Sequence, residues 1–342
     1  MAGQVFGWAA RVGTAVAAAL SSAAAFGRVA PPQAAPLPDA VSGERHVVRG
    51  RSGPLSYYVT GSGAPILLIH SVNAAASAYE VQPFVEELRR ERRVYAVDLP
   101  GFGFSDRSDR RYDVRLYVDA IHDMLDAIAD EVGPGPVDAL ALSLSAEFLA
   151  RAATERPGGF RTLAFVTPTG FERGSETRRA PPGATREVRG LYRGLTVPLW
   201  SRGLYSLLVR RGSIRYFLQR TFGSKRIPEG MLDYAYATAH QPGARHAPYA
   251  FVSGRLFSAD TRTLYEGLTA PTIVLHGTKG DFQDFSEAGW AMARPNWRFH
   301  PFPTGALPQF EQLPAVMAAY RPFLATPPDQ SWSSSPSRSP SP

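Results

Sequence analysis

Ala141-Leu142-Ser143-Leu144-Ser145 places a serine between two small residues, at the end of the apolar run that starts at Val137. Alanine-rich sequence reading as a helix follows through Arg151 and Glu155. A buried strand, a tight turn and a helix make a nucleophile elbow, which lifts a serine hydroxyl above a sheet. Small residues two places to either side let the strand and helix backbones pass close together. The helix would aim its first amides at the site, with the Leu144 N–H as an oxyanion donor. The alternative is a serine at an ordinary strand-to-helix connection.

The elements around this turn set the architecture. Strands are expected at 46–49, 55–60, 65–70, 93–98, 137–142, 162–166, 272–275 and 298–302, and helices at 79–90, 114–132, 285–292 and 310–324. Strands alternating with helices imply an α/β fold, a mostly parallel sheet covered on both faces, with an antiparallel start where the first strands are too close for a crossover helix. The folded domain is expected over residues 42–325. Before it, residues 1–41 combine an Ala-rich segment, uncharged from Val12 to Gly27, with a Pro/Ala linker; after it, residues 326–342 form a Ser/Pro-rich tail expected to be disordered. The N-terminal segment is short for a spanning helix. It is read as an export signal or anchor, an interfacial helix, or a helix lying on the domain, so the localisation is membrane-associated, exported or cytoplasmic.

Composition narrows the chemistry. The 342 residues hold no cysteine, which removes disulfides, thiolate metal sites and cysteine nucleophiles. The net charge is +7, almost wholly from arginine, but no basic run or finger spacing accompanies it, so nucleic acid is not an expected partner. No metal-ligand cluster or phosphate-cradling glycine pattern appears, and no cofactor or metal is expected.

Three segments in order then resemble the α/β-hydrolase superfamily over residues 42–324. Leu67-Leu68-Ile69-His70-Ser71-Val72 is similar to its strand ending in the oxyanion loop, Asp98-Leu99-Pro100-Gly101-Phe102-Gly103-Phe104-Ser105 to its D-x-P-G-x-G-x-S loop, and Ala139 to Ala146 to its elbow. The resemblance implies Ser143 as nucleophile and the Val72 and Leu144 amides as oxyanion donors, with Asn73 and Ser77 as nearby polar groups. It implies a helical cap at about 171–246. The acid position holds Gly280, so Asp281 is the expected acid, with Asp284 a weaker substitute. The base position departs most: Thr304-Gly305-Ala306-Leu307-Pro308 carries alanine where the family has histidine. An alanine accepts no proton. Of the seven histidines, His276 ends the strand leading to Asp281 and His246 lies where the chain returns from the cap, and these two are the expected alternatives for the base. His70 is expected to be packed and non-catalytic.

The cap segment holds fourteen Lys or Arg against five Asp or Glu, interleaved with aromatic and aliphatic residues. Helices with solvated arginines outside, or a lid meeting an anionic membrane surface, both fit this pattern. The expected function is a serine hydrolase acting on an ester or related acyl compound with an apolar part. The alternative is a pseudoenzyme, an α/β-hydrolase scaffold that binds a ligand or a membrane without turnover.

Overall fold

The computed structural model describes residues 35–175, 180–224 and 226–326. The apolar N-terminal segment and the Ser/Pro-rich tail lie outside the described residues, apart from the linker residues from 35 on and Thr326. Eight strands form one sheet: β1 Glu44–Gly50, β2 Gly53–Thr60, β3 Pro65–Ile69, β4 Arg93–Val97, β5 Val137–Leu142, β6 Phe160–Val166, β7 Thr272–Gly277 and β8 Trp297–Phe302. They stand in the order β1-β2-β4-β3-β5-β6-β7-β8. The first two pairings, β1 on β2 and β2 on β4, are antiparallel, and every later pairing is parallel. β1 and β2 are joined by a two-residue turn, while each parallel neighbour is reached through a helical crossover. The central strands β3 and β5 are apolar on both faces because helices cover both. Leu67, Ile69, Ala139 and Ala141 pack on one side against the helices Val114–Val132 and Ser145–Glu155. Leu68, Leu140 and Leu142 pack on the other against Phe84, Val316 and Tyr320.

The edge of the sheet opposite the elbow is pinned by a buried carboxylate. Asp138, at the start of β5, is 1% exposed and accepts from Arg92 at 3.0 Å, from Arg161, and from the Thr162 hydroxyl at 2.6 Å. The same two guanidinium groups also donate to the Leu324 carbonyl, at 3.2 and 2.9 Å, and so fasten the C-terminal helix to strands that lie far from it in sequence.

Three expected helices differ, and the one at 79–90 is a 3₁₀ turn, Ala78–Val81, followed by the helix Gln82–Leu88. The one at 285–292 contracts to Gly289–Met292, because Phe285 leaves the helical path to stack near Phe171 and His276. The one at 310–324 is divided into Pro308–Glu311 and Leu313–Ala325. Pro314, which has no N–H, lies in the first turn of the second piece, and Gln312 between the two has φ −144°. Between β6 and β7 the chain builds six helices from Leu191 to Glu266. Leu195, Leu204, Tyr205, Val209, Ile214 and Leu232 give this insertion an apolar cluster of its own. No described helix is long and apolar enough to cross a membrane.

Candidate active site

β5 ends at Leu142 and the next helix begins at Ser145, leaving Ser143 and Leu144 to make the turn. Ser143 has φ +52°, in the left-handed region that non-glycine residues rarely occupy. Its backbone N–H donates to the Val166 carbonyl at 2.9 Å, so the adjacent strand end holds the strained residue in place. The small neighbours have distinct uses. Ala141 is wholly buried, and the Ser145 hydroxyl donates to the His70 carbonyl at 2.6 Å, which ties the elbow to the loop after β3. Thr167, after β6, is the other described non-glycine residue with positive φ, at +44°. Two strained residues thus stand at the ends of adjacent strands.

The loop after β3 is built on Glu80. Its carboxylate accepts the Ser71 N–H at 2.8 Å and the Asn73 side-chain amide at 2.9 Å, while the Asn73 oxygen accepts the Ala75 N–H at 2.7 Å. His70 accepts the Leu99 N–H on Nε2 at 2.9 Å and so carries its proton on Nδ1, 2.5 Å from the Ser71 carbonyl. It is fully buried, its ring edge-on to Phe102, and burial lowers its pKa, so it is a neutral packing histidine. Asp98, buried in the next loop, accepts the Ala78 and Phe104 N–H groups at 2.9 and 3.0 Å. A Cβ at Gly103 would meet that carboxylate at 1.9 Å, which explains the glycine. Among the described residues the Val72 and Leu144 amides have no hydrogen-bond acceptor, and the Ser143 hydroxyl has no side-chain partner.

The residues expected as base and acid each have local partners of their own. His276 directs Nδ1 to the Gly277 carbonyl at 3.2 Å and lays its ring 4.1 Å from that of Phe285. β6 separates its strand from β5, so about 10 Å of sheet lies between them. His246 opens the helix His246–Val252, with Nδ1 3.3 Å from the carboxylate of Asp109. Asp281 forms an ion pair with Arg220, both side chains about two-fifths exposed. Asp284 caps Ser286, accepting its N–H and hydroxyl at 3.1 and 2.6 Å. Ala306 donates its N–H to the Thr221 carbonyl at 2.8 Å. Its loop is clamped to the helical insertion through Glu311, whose carboxylate accepts the N–H groups of Gly223, Ser224 and Gly305 at 3.0, 2.9 and 2.7 Å. A Cβ at Gly305 would stand 2.1 Å from the Thr221 carbonyl oxygen. The two loops that follow β7 and β8 therefore dock the insertion. Sequence reasoning missed Glu80, Glu147 and Glu311. Glu147 is fully buried four residues after Ser143 and accepts from the Thr169 hydroxyl at 2.5 Å and the Ser258 N–H at 2.7 Å. No local pattern separates such carboxylates from solvated ones; only the burial does. No group of three or more acidic or histidine side chains converges as a metal site among the described residues.

Burial lowers the pKa of His70, His122, His246, His276 and His300 from the ordinary 6.5. The unfolded chain takes up these protons near pH 6.5, whereas the folded chain does so only at lower pH. Within that window the unfolded state binds more protons, so stability falls as the pH drops. The denaturant midpoint is expected to decrease from about pH 7.5 to 6, above the carboxylate range; a flat profile would contradict this burial.

A serine on a strained strand-to-helix turn, in a mostly parallel sheet with helices on both faces, defines an α/β class with a sharp elbow after a central strand. The family model described as the alpha/beta hydrolase family matches residues 66–337, and the chain belongs to this family. It is 36% identical over 92 residues to the 2-hydroxymuconate semialdehyde hydrolase of Pseudomonas sp. (strain CF600), a match covering 25% of this chain and 32% of that one. It is 34% identical over 94 residues, 26% of this chain and 34% of the relative, to the 2-hydroxy-6-oxo-2,4-heptadienoate hydrolase of Pseudomonas putida. The matches thus span about a third of the length of these curated relatives. Among solved structures, a serine hydrolase involved in carbazole degradation superposes with a TM-score of 0.65 at 17% identity, covering 83% of this chain and 99% of that one. An esterase from Exiguobacterium antarcticum gives 0.63 at 16% identity, covering 83% and 100%. At such identities these two bear on the fold alone.

Proposed function

We propose that this protein binds a small ester or related acyl compound with an apolar part at Ser143, and that it forms or approaches an acyl adduct without rapid turnover. Ser143 is the nucleophile in this reading, and the Val72 and Leu144 amides receive the carbonyl oxygen. One observation carries it: the strained Ser143 turn is kept, with two unengaged amides beside it, while the hydroxyl has no basic partner and residue 306 is an alanine docked on Thr221. A missing general base removes a factor of about 10²–10⁴ from the rate. A second reading is turnover by a serine hydrolase, with His246 or His276 moving in as base and Asp281 as acid; kinship with hydrolases favours it. A fluorophosphonate probe with a p-nitrophenyl ester separates the two. Slow labelling that is lost in Ser143→Ala, with no steady ester turnover, is the expected outcome. Steady turnover abolished by Ser143→Ala would establish the second reading, and labelling that persists in the variant would remove Ser143 from both.

A further inference from the structure

The Val72 amide, the oxyanion donor in the reading above, ends a run of two successive peptide units, and the other three polar groups of that run are held. In the unit joining His70 to Ser71, the carbonyl accepts the Ser145 hydroxyl of the elbow at 2.6 Å, and the N–H donates to Glu80 at 2.8 Å. In the next unit the Ser71 carbonyl accepts the Nδ1–H of His70 at 2.5 Å. A trans peptide points its carbonyl and its N–H in opposite directions. The first unit is therefore drawn between the elbow and Glu80, and the Val72 N–H is turned away from the His70 ring.

Glu80 is 6% exposed, and its described hydrogen-bond partners are all neutral. A buried carboxylate without a cation is costly. Both of its oxygens are used: Oε2 takes the Ser71 N–H, and Oε1 takes the Asn73 side-chain amide at 2.9 Å. Asn73 is not free to turn that amide round. Its oxygen accepts the Ala75 N–H at 2.7 Å, and its nitrogen also donates to the Ser71 hydroxyl at 2.9 Å. Two donors thus face two oxygens, and a glutamine would set an N–H against one of them. The backbone of Glu80 is fixed as well. Its carbonyl accepts Nε2 of Gln309, from the short helix after Ala306, at 3.0 Å. The neighbouring Tyr79 ring stacks on Tyr234 of the insertion and on Phe310, with centroids 5.2 and 6.4 Å away.

We infer that Glu80 is a positioning residue for the oxyanion donor: its buried carboxylate holds the His70–Ser71 peptide so that the Val72 N–H stays aimed at an acyl group on Ser143. This rests on the reading of Ser143 as the nucleophile. The position needs a carboxylate because only a carboxylate accepts from the Ser71 N–H and the Asn73 amide together.

The test is fluorophosphonate labelling followed over probe concentration, which separates probe affinity from the maximal labelling rate. An oxyanion donor acts on the transition state, so displacing it lowers the rate and spares the affinity. Glu80→Gln should cut the maximal rate at least about tenfold. Because this variant is at risk of misfolding, Glu80→Gln combined with Asn73→Asp is the second test. The new glutamine oxygen accepts the Ser71 N–H, its NH₂ donates to the new aspartate, and the other aspartate oxygen keeps the Ala75 N–H. Donors and acceptors match again, and the labelling rate should return to within about threefold of wild type. Wild-type labelling that does not depend on Ser143 overturns the nucleophile reading, and this role for Glu80 with it. Labelling that depends on Ser143 but keeps its maximal rate in folded Glu80→Gln protein overturns the role of Glu80 alone. A double variant that is folded by its urea midpoint, yet still labels about tenfold slower than wild type, does the same.

Discussion

Ala306→His is expected to raise p-nitrophenyl ester hydrolysis by about 10²–10⁴, the contribution of a positioned general base, and the gain should vanish when Ser143→Ala is added. The substitution keeps the Ala306 N–H bond to Thr221, because only the side chain changes. It gives the loop after β8 the imidazole that the family pattern places there. The acid sets a second condition. Asp281, the acid of the hydrolase reading, is paired with Arg220 through Oδ2, so the guanidinium competes with an imidazole at 306 for that carboxylate. Adding Arg220→Ala to Ala306→His should therefore raise the rate further and shift the lower limb of its pH profile. Steady-state rates of the single, double and Ser143→Ala-containing variants test this. An inert Ala306→His protein whose serine still labels would mean that the loop holds residue 306 off the line of the hydroxyl.

The largest stability effect is expected at the opposite edge of the sheet. Asp138→Ala should lower the free energy of unfolding by about 3–5 kcal/mol, because it leaves the Arg92 and Arg161 guanidinium groups partly buried without their carboxylate. The Thr162 hydroxyl loses its acceptor as well. Urea unfolding compares the variant with wild type, and a loss below about 1 kcal/mol would mean that water reaches the two arginines and takes over. Asp138→Asn should lose less, since an amide oxygen still accepts from both. Labelling of Ser143 should survive either change in protein that remains folded, since Asp138 lies at the far end of β5.

Much of this arrangement was readable from local pattern. The eight strands fall where short apolar runs lie between turn residues, and Val114–Val132 forms the helix its period predicts, with Asp113 capping it by accepting the Leu116 N–H at 3.1 Å. The spacing Ala141-Ser143-Ser145 announced a tight turn, because close backbone passage requires small side chains. What could not be read depends on partners distant in sequence. Asp281 meets Arg220 across 61 residues, and Glu311 meets Gly223 across 88. Nothing near Asp281 or Glu311 in the chain tells that the insertion returns to cover them. Nor could the sequence tell which charges of the insertion meet: Arg211 pairs with Glu229 and Asp233, and Arg215 with Glu229.

The φ of +52° at Ser143 makes the serine itself a measurable burden on the fold. Left-handed backbone costs an L-residue roughly 1–2 kcal/mol and glycine almost nothing. Ser143→Gly is therefore expected to melt later than wild type while losing all fluorophosphonate labelling. The difference in melting free energy is the tax that the chain bears for keeping a hydroxyl at this turn. Its size can be measured without knowing any substrate. A stabilised, unlabelled Ser143→Gly protein would show a side chain held against the preference of its own backbone.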